Sequence, residues 1–358
     1  VSPSGLAGRV TLAAGGYHSL AVRADGTVRS WGNNTYGQLG DGSTTQRTTA
    51  VGVPGLSSVE SLVAGYDHSL ALLSDGTVRA WGNNAYGQLG DGSTTQRTTA
   101  VQVPGLTNVV ALSGSKLYHS LALLSDGTVR AWGYNMNGQL GDGSTTHRAA
   151  PVAVSGLTGV VAIAGGGDFS LAVQSNGTVQ SWGYGSYGAL GRDYDISSPT
   201  PKAVPGVTNM VAIAAGASHV LALRTDGTVY AWGRNDFGQL GDGTTVQRNS
   251  PVQVPGLTNV VAIATGWDHS LALRADGTVY AWGYNYARQL GDGSTANFRT
   301  TPAPVSGLTN VMAITAGGNQ SLALLSNGVV FAWGDNSHGE LGDGTAMTPS
   351  SPVVVSGL

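Results

Sequence analysis

The sequence predicts an all-β protein, a seven-bladed β-propeller of four-stranded antiparallel blades, and three observations carry that prediction. The first is composition: 56 glycines and 13 prolines among 358 residues, 10% charged residues, and glutamate only at Glu60 and Glu340. Such a chain is short of the residues that favour long helices. The second is a repeat. Trp-Gly recurs at Trp31, Trp81, Trp132, Trp182, Trp232, Trp282 and Trp333, every 50 or 51 residues, so the whole chain, residues 1–358, reads as one domain of seven units. The third is that each unit places one Asp-Gly or Asn-Gly dipeptide between two apolar runs, a signal for a tight hairpin.

The fifth unit shows the elements in order. Residues 211–215 (VAIAA) form a continuous apolar run, read as a strand buried on both faces. Residues 219–224 (HVLALR) are the second strand, ending at Asp226-Gly227, with Asp25-Gly26, Asp75-Gly76, Asp126-Gly127, Asn176-Gly177, Asp276-Gly277 and Asn327-Gly328 at the same place in the other units. The interchange of Asp and Asn suggests a type I′ turn, in which both central residues take positive φ. Residues 228–232 (TVYAW) are the third strand, and residues 251–254 the fourth. The fourth opens on Pro151, Pro201, Pro251, Pro302 or Pro352 in five units, which fits only an edge strand. A sheet apolar on both faces must stack on its neighbours. Each repeated Trp, burying about 150–250 Å², is therefore read as packing between blades.

Several function classes lack their residues. The net charge of −3 offers no footprint for nucleic acid or an anionic membrane. No apolar run reaches the length of a membrane span, and zero cysteines exclude disulfides and thiolate chemistry. The chain starts at Val1 without initiator Met or signal peptide, which suggests processing. His18, His68, His119, His219 and His269 recur in register, but on a propeller they spread around the axis instead of converging on one ion. They are read as structural, as are the turn aspartates Asp41, Asp91, Asp142, Asp242, Asp292 and Asp343. No catalytic motif is present, so no cofactor, metal or catalytic residue is assigned.

The string Gly-x-x-His-Ser-Leu-Ala-Leu-x-x-Asp-Gly-x-Val-x-x-Trp-Gly-x-Asn-x-x-Gly-Gln-Leu-Gly, nearly intact over residues 65–90 and 266–291, resembles the repeat of the regulator of chromosome condensation family. The resemblance covers all seven units and implies a seven-bladed propeller. Activities in that family include nucleotide exchange on the small GTPase Ran, inhibition of β-lactamases by a streptomycete protein, and ultraviolet-B perception in plants. The chain looks more like the secreted bacterial type than the exchange factor. No unit departs from its length by more than one residue, and the only lysines are Lys116 and Lys202. A photoreceptor's tryptophan cluster is also missing, because only Trp267 lies outside the repeated Trp position.

In a meander, the loops joining strands one to two and three to four share one face of the disc. The hairpins and interblade links, nearly invariant here, occupy the other. The varied face carries Tyr17, Tyr66, Asp67, Lys116, Tyr118, Asp168, Phe169, Trp267 and Asp268 in the first loop set. The second set adds Tyr36, Tyr86, Tyr134, Tyr187, Arg234, Phe237, Tyr284 and Tyr286. Tyr, Trp and Arg are enriched at interface anchors, so this face is expected to bind a protein or peptide partner. Blades three to six form the expected footprint, on account of Lys116, Arg288 and the irregular 192–195 turn. The carboxylates of the same face leave carbohydrate binding or processing as an alternative. An architectural module of a larger secreted protein is another. A monomer in an extracellular or cell-surface setting is expected. The links Ser4-Gly5-Leu6 and Ser356-Gly357-Leu358 are expected to meet at a blade boundary.

Overall fold

The computed structural model describes residues 11–193 and 197–358. It contains seven four-stranded antiparallel sheets, each with its strands in chain order. Blade one comprises Thr11–Ala14, His18–Val22, Val28–Gly32 and Arg47–Gly52, and blade seven comprises Val311–Ala316, Gln320–Leu325, Val330–Gly334 and Val353–Val354. The first strands of successive blades contact one another around the ring, and those of blades seven and one close it. Each blade is built from its own consecutive strands, so no strand is exchanged at closure. Ser4-Gly5-Leu6 lies outside the described residues, as do residues 194–196 of the irregular turn.

All seven repeated tryptophans are fully buried. Each packs on the preceding blade: Trp81 joins Leu20, Val22 and Val28, and Trp31 joins Leu322, Leu324 and Val330 across the closure. Glycine is needed opposite each indole, since a Cβ on Gly40 would lie 2.8 Å from Trp81 Nε1.

The seams also hold a polar relay. Ser69 Oγ and Trp81 Nε1 both donate to Gln38 O, at 2.8 and 2.9 Å. With its proton committed there, Ser69 Oγ accepts from His18 Nε2 at 2.9 Å, which fixes the histidine proton on Nε2. His68–Ser120, His119–Ser170, His219–Ser270 and His269–Ser321 repeat the contact. Burial lowers these imidazoles to about 3, or about 4 for His68, so they stay neutral.

Three details differ from expectation. At the hairpin, Gly26 has φ +79° while Asp25 is not left-handed. Gly26 N donates to Arg23 O, and Arg23 N donates to Thr27 O, which describes a three-residue loop closed by a glycine bulge instead of a type I′ turn. Asp and Asn interchange there because each offers an Oδ1 acceptor: Asp25 Oδ1 takes Thr27 N and Oγ1, and Asn176 Oδ1 takes Thr178 N and Oγ1. The fourth strand starts earlier than its proline. Blade five's runs Arg248–Gln253, with Pro251 where the pairing register shifts, on an edge that needs no donor. The first strand is not the most buried one. Val211 is 41% exposed, whereas His219–Arg224 is buried except for its last residue, because the first strand faces the axis and the second lies between neighbouring blades.

Candidate functional face

Around the axis, the loops between first and second strands are tied blade to blade by main-chain hydrogen bonds. Gly16 N donates to Tyr66 O, Tyr66 N to Leu117 O, Lys116 N to Gly166 O and Gly167 N to Ala217 O. Ala217 N then donates to Trp267 O, Trp267 N to Gly318 O and Gly318 N to Gly15 O, completing a closed belt. Over blades seven and one the belt leaves no room for side chains: a Cβ on Gly16 would lie 2.7 Å from Tyr66 O, and one on Gly318 would lie 2.4 Å from Gly16 O. These bare positions let large neighbours reach over blades seven and one.

Trp267 and Tyr66 accordingly stack on each other, 5.5 Å between ring centroids and 17° between planes. Tyr17 meets Trp267 edge-on at 5.2 Å and Tyr66 at 5.9 Å. From this trio a ribbon runs through Tyr118, Tyr86, Tyr134 and His147, with successive centroids 5.6, 5.3, 5.0 and 4.8 Å apart. On the other side Tyr17 contacts His338 at 5.0 Å. Eight rings thus join residues from both loop sets, which places those sets on one face. A second cluster sits over blades four to six. Arg234 lies between the Tyr187 and Phe237 rings, at 5.2 and 5.3 Å, and Phe237, Tyr284 and Tyr286 continue outward. Arg234 is also paired with Asp236 at 2.7 Å and Asp268 at 3.5 Å. Tyr36, Tyr187 and Tyr286 are the most open of the expected residues, with Tyr286 73% exposed.

Three expected residues are not presented on the face: Asp67, which is buried in a seam contact described below, Phe169 and Lys116. Phe169 is buried in the core against Val220. It occupies the histidine position of blade four, and Val220 occupies the matching serine position, so the polar pair is replaced whole by an apolar one. That paired exchange was visible in the sequence. Lys116 turns inward, and its Nζ donates to Ala316 O across the ring at 2.8 Å. Burial lowers its ammonium to about 7. The one-residue insertion that carries it is therefore a strut from blade three to blade seven.

The aspartates bridge blades. Gln38 Nε2 donates to Asp67, Gln139 to Asp168, Gln239 to Asp268 and Gln289 to Asn319, while the same Gln38 and Gln139 side chains cap their own loops. Desolvation pushes Asp67 up to about 7 and also raises Asp168 and Asp268. Between blades seven and one the equivalent positions are held by Glu340 and by Tyr17, the latter one of the expected binding residues. Glu340 is buried, burial pushes it up to about 7, and its Oε1 has no hydrogen-bond partner. The ribbon covers blades seven, one, two and three, with Trp267 from blade six, so four of its eight rings belong to the expected blade three-to-six footprint and four to blades seven, one and two.

Comparison with known proteins gives the same architecture. The structure of human WBSCR16 superposes with a TM-score of 0.82 at 25% identity, covering 92% of this chain and 94% of that one. Prp20p of Saccharomyces cerevisiae, studied for its binding to Gsp1p and histones, gives 0.81 at 26% identity, covering 92% and 85%. The human E3 ubiquitin-protein ligase HERC2 is 39% identical over 59 residues, 16% of this chain and 1% of its own length. A family model for the RCC1-like domain matches residues 114–358, and models of the regulator of chromosome condensation repeat match stretches between residues 10 and 123. The chain therefore belongs to the regulator of chromosome condensation repeat family.

Proposed function

We propose that the chain is a non-catalytic docking propeller that takes a protein or peptide partner on its aromatic loop face, as a monomer in an extracellular or cell-surface setting. The supporting observation is the eight-ring ribbon centred on Trp267 and Tyr66. Rigid aromatic side chains supply contact area at small entropic cost and are enriched among binding anchors. Prp20p, similar in fold, is described with protein partners, Gsp1p and histones. The hairpin face offers only near-identical Asp-Gly-Thr turns, and nothing there distinguishes one direction of approach from another.

A photo-crosslinking residue placed at Tyr86, on the loop face, and separately at Asp126, on a hairpin, tests the reading in extract of the source cells. Adducts from position 86 alone are expected, followed by an affinity loss of about tenfold or more in Trp267→Ala with the purified partner. Adducts from position 126 alone would overturn it. Saccharide binding on a glycan array, abolished by Trp267→Ala, would replace the protein partner with a carbohydrate.

A further inference from the structure

We propose that the loop face over blades seven, one and two receives a cationic segment of the partner, with an arginine or lysine side chain set over the Tyr17 and His338 rings and against Asp335, above the buried Glu340. This rests on the docking reading above and names the chemistry of what docks.

Charge is distributed unevenly around the disc. No lysine or arginine follows Arg299, so blade seven has Asp335, Glu340 and Asp343 with no cationic side chain of its own except, when protonated, His338. Elsewhere the turn aspartate is neutralised by an arginine: Asp41 by Arg47, Asp91 by Arg97, Asp142 by Arg148 and Asp242 by Arg248 at 2.7–2.8 Å, and Asp292 by Arg299. Asp343 is held by Asn336 and Thr345, and Pro349 stands where the arginine would be. The cations elsewhere on the loop face are committed. Arg234 is shared by Asp236 and Asp268, and Lys116 is bonded to Ala316 O inside the ring.

The independent sign of a missing partner is Glu340. In four blades the equivalent glutamine sends its Nε2 to an acid or amide of the next blade. Gln88, opposite Tyr118, likewise leaves its Nε2 unpaired; at the blade seven to blade one seam Tyr17 replaces the acid, but the orphaned group is a carboxyl instead of an amide. His338 N donates to Glu340 Oε2 at 2.7 Å, whereas Oε1, 4.0 Å from His338 Nδ1, is buried and unpaired. The negative charge of Asp335 adds to the upward push of burial on Glu340, and Tyr17, raised chiefly by burial and by Tyr66, is raised further by Asp335 and Asp67. A positive group arriving over the Tyr17 and His338 rings would relieve this crowding and meet the π-faces of the ribbon.

Calorimetry with three capped decapeptides on one Gly/Ser background, bearing four Arg, four Gln or four Glu, tests the proposal. The Arg peptide should bind at least tenfold more tightly than the other two and weaken as salt is raised. The pair Asp335→Asn and Glu340→Gln should cost about tenfold, with Asp126→Asn on the hairpin face as an unchanged control. Both changes are conservative: Asn keeps the Oδ1 that accepts from Ser337 N, and Gln restores the residue of five other blades. No binding of the Arg peptide, equal binding of the Gln peptide, or an unchanged double variant would overturn the inference. If Trp267→Ala abolishes binding of all three peptides alike, docking on this face stands and cation selection fails. If the Arg peptide binds and neither Trp267→Ala nor the double variant affects it, both readings fail.

Discussion

Phe169 and Lys116 show how far a single position departs from its repeat when its neighbours permit. Phe169 with Val220 replaces a His–Ser seam contact, and the two must change together because a lone imidazole there would be buried opposite a methyl group. Phe169→His alone is expected to cost about 1–3 kcal/mol in thermal denaturation, and the double variant with Val220→Ser should recover most of it. Equal losses in the single and double variants would refute the pairing. Lys116 is an amine held near 7 in the folded state by burial, against an ordinary value of 10.5. Between these values the unfolded chain binds one more proton than the folded one, so stability rises with pH, by up to about 1.4 kcal/mol per unit. Denaturant titrations from pH 7.5 to 9.5 should show that rise and lose it in Lys116→Met. Tyr17 and Tyr118, pushed up to about 12, act only above this window.

At the scale of the element, the hairpin shows what a dipeptide signal does and does not specify. Asp-Gly or Asn-Gly located the turn correctly in every blade, but the need for positive φ rests on the glycine alone, and the Asp or Asn is kept for its Oδ1. Asp126→Asn should therefore change stability by less than about 0.5 kcal/mol, and Asp126→Ala should lower it by about 1 kcal/mol. An Asn variant as damaged as the Ala variant would restore a role for charge. The fourth strand was harder to bound. Its proline reads as a start signal, yet on an edge with a shifted register the chain tolerates it in mid-strand. The Trp, Gly and His positions were legible because their spacing is strict. The Gln-to-Asp bridges were not, because the partners lie in different blades about 29 residues apart and neither residue type is unusual on a loop.

For the molecule as a whole, the period of the sequence determines seven stacked blades, while the closure could not be read, since no local signal says which terminus completes which sheet. The structure closes it with Trp31 on blade seven and with the main-chain belt ending at Gly318 and Gly15. Trp31→Ala should cost about 3–5 kcal/mol and speed amide exchange on both sides of that seam. Exchange that rises evenly in all blades would mean the closure is no weaker than the rest. The loop face was legible as the varied side, but its internal arrangement was not. The inward course of Lys116 and the burial of Phe169 depend on neighbours in other blades, and so does the reach of Trp267 over two glycines. The central claim is that Trp267 and its ribbon serve recognition more than they serve packing. It is tested most directly by measuring, on the same Trp267→Ala preparation, partner affinity and melting temperature. The account predicts an affinity loss of about tenfold or more with a melting temperature within a few degrees of the parent; a large drop in melting temperature with unchanged affinity would contradict it.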